Sequence, residues 1–563
     1  MPTARSSLAL FSFLLLPGAA QAGDVPLPGK SHQVRAAKVA KVLAKADAPF
    51  VLPVAGSAQD PTAGGAELHF FDIGGDGGEL IYTLDASGWK GLGKPPGSKG
   101  WKYKGKADTT APDPKAACRS VVLKDRSLKA TCKGVAVTLA PPYSGSAAVS
   151  LGFPAGASAS RYCAVFGGDE KKNDARQLKR KKANAPVVCP LAPSAFGGYD
   201  AEDLITLADD ALAGRQNLTP GSEAAQAFLI AELSPFAAGL DASQVGDDAY
   251  KQPFDDGTNI LAIIPGGELA DEYVIVGGHY DHIGSNCVSL EPGDDICNGA
   301  TDNAAGSASV LAIGRQLAAA PVPPRRSVIL AFWDAEEDGL LGSFHYVANP
   351  LVPLADTVAY VNFDIQGANL LPSVRNVSFA IGGETGGSTL DELVRGAIAL
   401  ETLDTQPVSL VFGQGRSDYV AFSQAEVPTV FFSDSTGGCY HTTGDEVGVV
   451  DFGKHQKQAR IGYYVTSGLI DGDPRPAFVS DLPAATFDDL VSVRDIIDLG
   501  LADLGLFGPT DQATLQGFAA FLEGLVQEGE SEFGTEDIGP FLAGTSSVIS
   551  TLSSVPCDGF LAP

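Results

Sequence analysis

The chain reads as an α/β protein built on a mostly parallel, buried central sheet. Three observations carry this. From about residue 198 to 472, segments of helical period alternate with short strand-type runs, the pattern of strand–helix–strand units. The runs YVIVGG and SVILAFW are apolar almost throughout, as strands covered on both faces are. Metal-type side chains also stand where strands run out. His279 follows VIVGG, Glu336 and Glu337 follow SVILAFWDA, Asp364 follows VAYVNF, and His441 closes a segment after TVFFSD, while Asp302 sits in NGATDNAAG where a helix begins. In open α/β sheets, sites form outside the carboxyl ends of the strands. Two His and several carboxylates with no Cys among them suit a borderline cation such as Zn²⁺.

The elements follow in order. Residues 1–22 read as a signal peptide: Arg5 supplies the positive start, LALFSFLLL the short apolar stretch, and AQA a small-residue cleavage site before Gly23. Residues 23–64 are rich in Ala, Lys and Pro and read as a propeptide or linker, with HQVRAAKVAKVLAKA a short basic helix. Over 65–190, short runs such as ELHFFDI, ELIYTL, SVVLK and RYCAVF are separated by Gly, Pro and Ser, which predicts a small β-sandwich or barrel as an accessory domain. Within it GWKGLGKPPGSKGWKYKG has two readings, a glycan- or polymer-binding loop and an ordinary solvated one. The basic stretch KKNDARQLKRKK likewise reads as an exposed linker or a solvated surface segment, with the linker favoured by the change of composition around it.

The 198–472 segment supplies helices at DAEDLITLADDALAG and GSEAAQAFLIAELSPF, from about 303 to 319, near DELVRGAIAL and at HQKQARIGYYVTSGLI. Its strands are NILAIIP, YVIVGG, SVILAFW, VAYVNF and TVFFSD. Residues 476–563 are acidic and of helical period, which predicts a small helical C-terminal extension.

Bulk properties narrow the function. A formal net charge of −28 disfavours nucleic acid and anionic membrane as partners, since both need basic surfaces. After the signal peptide no run approaches the ~20 apolar residues that span a bilayer, so no stable membrane insertion is expected and the mature chain is secreted or periplasmic. Eight Cys in an exported chain imply disulfides. Four lie in the N-terminal third, so two bridges are confined there. Cys287 and Cys297 flank an acidic loop they would close, and elimination leaves Cys439 with Cys557.

HYDH, TDNAAG, the pair Glu336–Glu337, Asp364 and Tyr440–His441 together resemble the co-catalytic dizinc aminopeptidases of the secreted bacterial leucyl-aminopeptidase and aminopeptidase S/Y type. The resemblance covers about 198–472. DEYVIVGGHYDHIG, NGATDNAAG and FWDAEEDGLLGS all match the family's patterns. It implies a three-layer α/β/α zinc-peptidase domain with two Zn²⁺ per chain. One ion would be held by His279, Asp302 and Asp364, the other by Asp302, Glu337 and His441, with Asp302 shared. Asp302 could alternatively cap the helix, a task Asn303 can also perform. The resemblance makes Glu336 the general base, Glu337 the ligand and Tyr440 a donor to the scissile carbonyl. Asp281, two residues after His279, is expected to accept the imidazole's other N–H.

His282 reads as structural, His345 and His455 as structural or exposed, and Arg416 as either a substrate contact or a loop ion-pair residue. The family often reads SDH where this chain has Ser417, Asp418 and Tyr419, a departure that touches no ligand position. The expected activity is hydrolysis of N-terminal peptide bonds in peptides or proteins. The alternatives are a carboxypeptidase or dipeptidase on the same domain, a one-zinc cyclase of related fold, and an inactive binding ectodomain.

Overall fold

The computed structural model describes residues 23–75, 77–105, 118–134, 137–153, 160–290, 292–320 and 323–558; the expected signal peptide lies outside them. The N-terminal part folds as two sheets over one apolar core that includes Val34, Val42, Leu68, Phe70, Leu123 and Leu151. One sheet has five strands, in the order Gly23–Pro26, Ser160–Phe166, Ala147–Phe153, Ala66–Asp72, Glu79–Leu84. The other has eight, running Asp169–Asp174, Gln177–Ala183, Gly29–Arg35, Val39–Lys45, Ser127–Lys133, Cys118–Lys124, Trp101–Tyr103, Trp89–Gly91.

This arrangement corrects three readings. The stretch expected as a basic helix is a hairpin of Gly29–Arg35 and Val39–Lys45, and the second strand pairs onward with Ser127–Lys133. The segment 23–64 therefore belongs to the β-rich body and is no separate linker. Ala and Lys favour helix locally, but the side chains alternate: Ala40, Val42 and Ala44 point inward while Lys41 and Lys45 face water, and cross-strand pairing wins. The basic stretch 171–182 is also no linker; it forms most of the hairpin Asp169–Asp174/Gln177–Ala183, with Leu178 and Arg180 turned inward. Trp89 and Trp101 are core residues whose indole N–H groups donate to the carbonyls of Leu84 and Pro53, so the two rings offer no platform to a glycan.

The following part carries a nine-stranded sheet. Its order is Ala238–Gly239, Gly257–Ile264, Arg326–Trp333, Leu269–His279, Thr357–Phe363, Thr429–Ser433, Val377–Ile381, Asp404–Val408, with Lys251–Phe254 paired to Gly257–Ile264. The four central strands run parallel, and Gly257–Ile264 and Val377–Ile381 flank them antiparallel. Alternate side chains serve the two faces. Val274, Val276, Val328 and Leu330 pack with helices that include Pro220–Leu233, Ala305–Ala318 and Phe452–Asp471. Ile275, Ile329 and Trp333 pack on the other face with Leu341–Ala348 and Tyr419–Gln424. The three-layer α/β/α expectation holds, and both covered faces explain the unbroken apolar strands.

The C-terminal helices are Phe487–Gly500, Pro509–Glu528 and Thr535–Leu552. They share a core with Leu371, Val374 and Val377 of the sheet-bearing part, so the extension is packed against it rather than hanging free. The four N-terminal cysteines pair among themselves, as Cys118–Cys132 and Cys163–Cys189, and Cys287–Cys297 and Cys439–Cys557 form as expected. The last ties the end of the extension to the residue before Tyr440.

Candidate active site and metal centre

Register brings the site together. His279 pairs with Trp333, Gly277 with Asn362 and Phe363 with Phe432, so the central strands end level at their carboxyl edge. The chain then leaves each strand through a turn that carries a site residue. Ala335 before Glu336, Ile365 after Asp364 and His441 itself hold φ of 54°, 56° and 55°. Side chains other than Gly rarely occupy this left-handed region, and each instance costs about 1–3 kcal/mol, a strain typical of functional turns. Gly299, also left-handed, turns the chain into Thr301–Asp302; a Cβ there would collide with the Asp302 carbonyl.

The five expected ligands meet. His279 Nε2 lies 3.3 Å from Oδ1 of Asp302 and 3.4 Å from Oδ1 of Asp364. His441 Nε2 lies 3.4 Å from Oδ2 of Asp302 and 3.1 Å from Oε2 of Glu337. Asp302 thus turns one oxygen to each half. Two donors on one tetrahedral ion at about 2.0–2.1 Å stand about 3.3–3.4 Å apart, whereas a charge-assisted hydrogen bond closes to about 2.7–2.9 Å. Three of the four separations match the first spacing, so the nitrogen and oxygen donors around Asp302 are placed as cation ligands would be. His282 behaves differently: its Nδ1 sits 2.7 Å from Oε1 of Glu337, a hydrogen bond that leaves Oε2 turned to His441.

Electrostatics separate the adjacent glutamates. Burial, reinforced by the carboxylates of Asp364, Asp418 and Glu337 and opposed by His279, pushes Glu336 well above the usual range. Burial and Asp302 push Glu337 the same way, but the hydrogen-bonded His282 and the neighbouring His441 outweigh them and carry it below. Two neighbouring carboxyls driven apart in this way suit different roles. Burial would lower His441, yet Asp302 and Glu337 hold it up to about 10.

The surrounding residues hold this frame. The Asp281 carboxylate lies 3.6 Å from His279 Nδ1, whereas its carbonyl oxygen lies 3.1 Å away and is the ring's partner. The carboxylate instead accepts the backbone N–H groups of Glu336 at 3.1 Å and Glu337 at 3.3 Å. The expected Asp281–His279 pairing thus runs through the backbone, and Asp281 links the histidine strand to the glutamate turn. Two braces went unread in the sequence. Asp445 accepts from the N–H of Thr301 and Asp302 at 2.9 and 3.1 Å. Buried Arg215 donates to the carbonyls of Tyr280, Asn298 and Gly299. Nothing in their own sequence neighbourhoods marks them, because both bind backbone groups. His455 is structural, bonded to Tyr199, Ser309 and the Ala305 carbonyl, and His345 stacks on Phe254.

Tyr440 stacks on His441, ring centroids 3.9 Å apart, and faces the same cleft as Asp302, Glu336, Glu337 and Asp364. Exposed Arg416 stands on the cleft's lining and makes no ion pair among the described residues.

Residues 259–466 match the model of Peptidase family M28. Aminopeptidase NAALADL1 of Mus musculus is 32% identical over 263 residues, 40% of this chain and 33% of that protein. Leupeptin-inactivating enzyme 1 of Streptomyces exfoliatus is 25% identical over 271 residues, 43% and 57% of the two chains. Probable glutamate carboxypeptidase AMP1 of Arabidopsis thaliana is 35% identical over 116 residues, 20% and 15%. The chain thus spans a third to somewhat over half of the first two relatives. The matched segment holds all five expected ligand positions, in keeping with the resemblance its motifs carry.

Proposed function

We propose that this chain, which carries a zinc metallopeptidase segment of family M28, is an exopeptidase that removes N-terminal residues from peptides. The observation that supports it most is Asp302, with one oxygen toward His279 and Asp364 and the other toward His441 and Glu337. Two Zn²⁺ are the cations that best suit this donor set. Bound there, they would polarise the scissile carbonyl and ease deprotonation of the attacking water. Glu336 takes the water's proton on its carboxylate and returns it to the leaving amine. Tyr440 donates its phenolic O–H to the oxygen that becomes negative in the tetrahedral intermediate. Asp281 fixes the Glu336–Glu337 turn through two backbone N–H groups, so the base and the ligand keep their spacing.

Glu336→Gln tests the assignment. Zinc content should stay at the wild-type level while kcat on aminoacyl-nitroanilides falls about 10²–10⁴-fold. Surviving turnover would remove Glu336 from the role.

A second reading is a carboxypeptidase or dipeptidase. The unpaired guanidinium of Arg416 at the cleft is suited to a terminal carboxylate. Peptides blocked at one end or the other separate the two: an aminopeptidase rejects N-blocked substrates, a carboxypeptidase C-amidated ones. Four disulfides fit an oxidising location, secreted or periplasmic. Among the described residues no helix is long and apolar enough to cross a membrane.

A further inference from the structure

The cleft does not end at the metal-type residues. It is about 150 Å³ in all and runs on between apolar walls, the near one including Phe379 and Phe431 of the sheet-bearing part. Its far wall comes from the helical extension, with Val493 and Ile497 on Phe487–Gly500 and Val548 and Leu552 on Thr535–Leu552. Charge is confined to one end, at Asp302, Glu336, Glu337 and Asp364, and to Arg416. The four far-wall residues lie outside the segment matched by the family model, which stops at residue 466.

We infer that the helical extension is the specificity-determining wall of the substrate site: Val493, Ile497, Val548 and Leu552 receive the apolar side chain of the residue whose carbonyl is attacked. The inference rests on the exopeptidase reading above. Three features support it. The cavity is continuous with the candidate catalytic residues, so a carbonyl held at Glu336 sends its neighbouring side chain toward this wall. The wall is apolar on both sides, which desolvates a hydrocarbon side chain and rejects a charged one. Cys439–Cys557 joins the end of Thr535–Leu552 to the residue before Tyr440, so wall and reacting centre keep one geometry.

The test uses the full zinc-loaded chain with alanyl-, leucyl-, phenylalanyl- and glutamyl-nitroanilides. Wild type should prefer leucyl or phenylalanyl over alanyl. Val548→Phe, which fills the cavity, should lower the phenylalanyl-to-alanyl ratio of kcat/KM at least tenfold, and Ile497→Ala should raise it; a change of a methylene or more in an apolar pocket moves selectivity about 10–200-fold. Leu499→Ala, on the exposed face of the same helix, is the control for unspecific loosening and should leave the ratio unchanged. Wild type cleaving no aminoacyl substrate would sink the exopeptidase reading. Active variants with wild-type ratios would instead sink this inference alone. A readout without turnover covers an inactive or poorly folded variant. Calorimetry should show free L-phenylalanine binding wild type at least tenfold more tightly than L-alanine, with the difference lost in Val548→Phe and kept or widened in Ile497→Ala. Equal binding of the two amino acids by wild type would overturn the assignment of the wall.

Discussion

If Asp302 is shared, its removal must empty both halves of the site, while removal of a ligand that belongs to one half must empty only that half. Each half has three protein donors: His279, Asp302 and Asp364 in one, and Asp302, Glu337 and His441 in the other. Asp302→Ala takes both down to two. Asp364→Ala takes only the first down, and Glu337→Ala only the second. A residue that merely orients a metal ligand is worth about 10–100-fold in affinity, or about 1.4–2.8 kcal/mol. Loss of a donor exceeds that, so Asp302→Ala should cost at least about 3–6 kcal/mol summed over the two ions. Equilibrium dialysis against a zinc buffer set about tenfold above the wild-type dissociation constants, read by mass spectrometry of metal per chain, gives the answer. The expected contents are about two zinc for wild type, about one for Asp364→Ala and for Glu337→Ala, and near none for Asp302→Ala. Asp302→Ala retaining one fully occupied ion, or Asp364→Ala losing both, would show that the carboxylate is not the bridge.

Three further outcomes follow from the structure. Asp281→Asn removes an acceptor from the N–H pair of Glu336 and Glu337 and should lower kcat/KM about 10–100-fold, measured on a leucyl-nitroanilide. His32 is buried between Phe70 and Phe166 with neither ring nitrogen hydrogen-bonded, and burial, with Arg180, lowers its pKa from 6.5 to about 3. The unfolded chain therefore takes up a proton below pH 6.5 that the folded chain refuses. Stability present above pH 6.5 is lost as pH falls toward 3, by about 1.4 kcal/mol per unit, and His32→Phe should flatten this slope in urea titrations at pH 6.5 and 4.5. Cys557→Ser opens a loop of sequence separation 118. Chain entropy puts the loss at up to about 5 kcal/mol, visible in calorimetry as earlier melting of the C-terminal helices.

The candidate site was more legible than the fold around it. His279, Glu336, Glu337 and Asp364 could be read because each follows an apolar strand whose two covered faces leave an unmistakable composition, and parallel strands in register must deliver such residues to one edge. The hairpin at Gly29–Arg35 and Val39–Lys45 was misread because Ala and Lys speak for helix locally, while the pairing that overrides them is made by residues about ninety positions on. The role of Asp281 was half read: its neighbourhood to His279 is local, but its grip on the glutamate turn spans 55 residues of sequence. Arg215 and Asp445 had no local signature because they act by binding backbone groups, which any sequence supplies. The contact of the C-terminal helices with the cleft was illegible for a related reason, since an amphipathic face states that it is covered but not by what.

The Cys439–Cys557 bridge also bears on how the chain can be divided. A polypeptide ended after the helix Phe452–Asp471 would contain every candidate ligand and look like a self-sufficient unit. It would expose Leu371, Val374 and Val377, which the extension now covers. It would also leave Cys439 as an unpaired thiol two residues from His441, and a thiolate is a softer, stronger zinc donor than a carboxylate. The truncated unit would thus carry a competing ligand at the edge of its own metal centre, and the two parts would have to be inherited, expressed and exchanged as one.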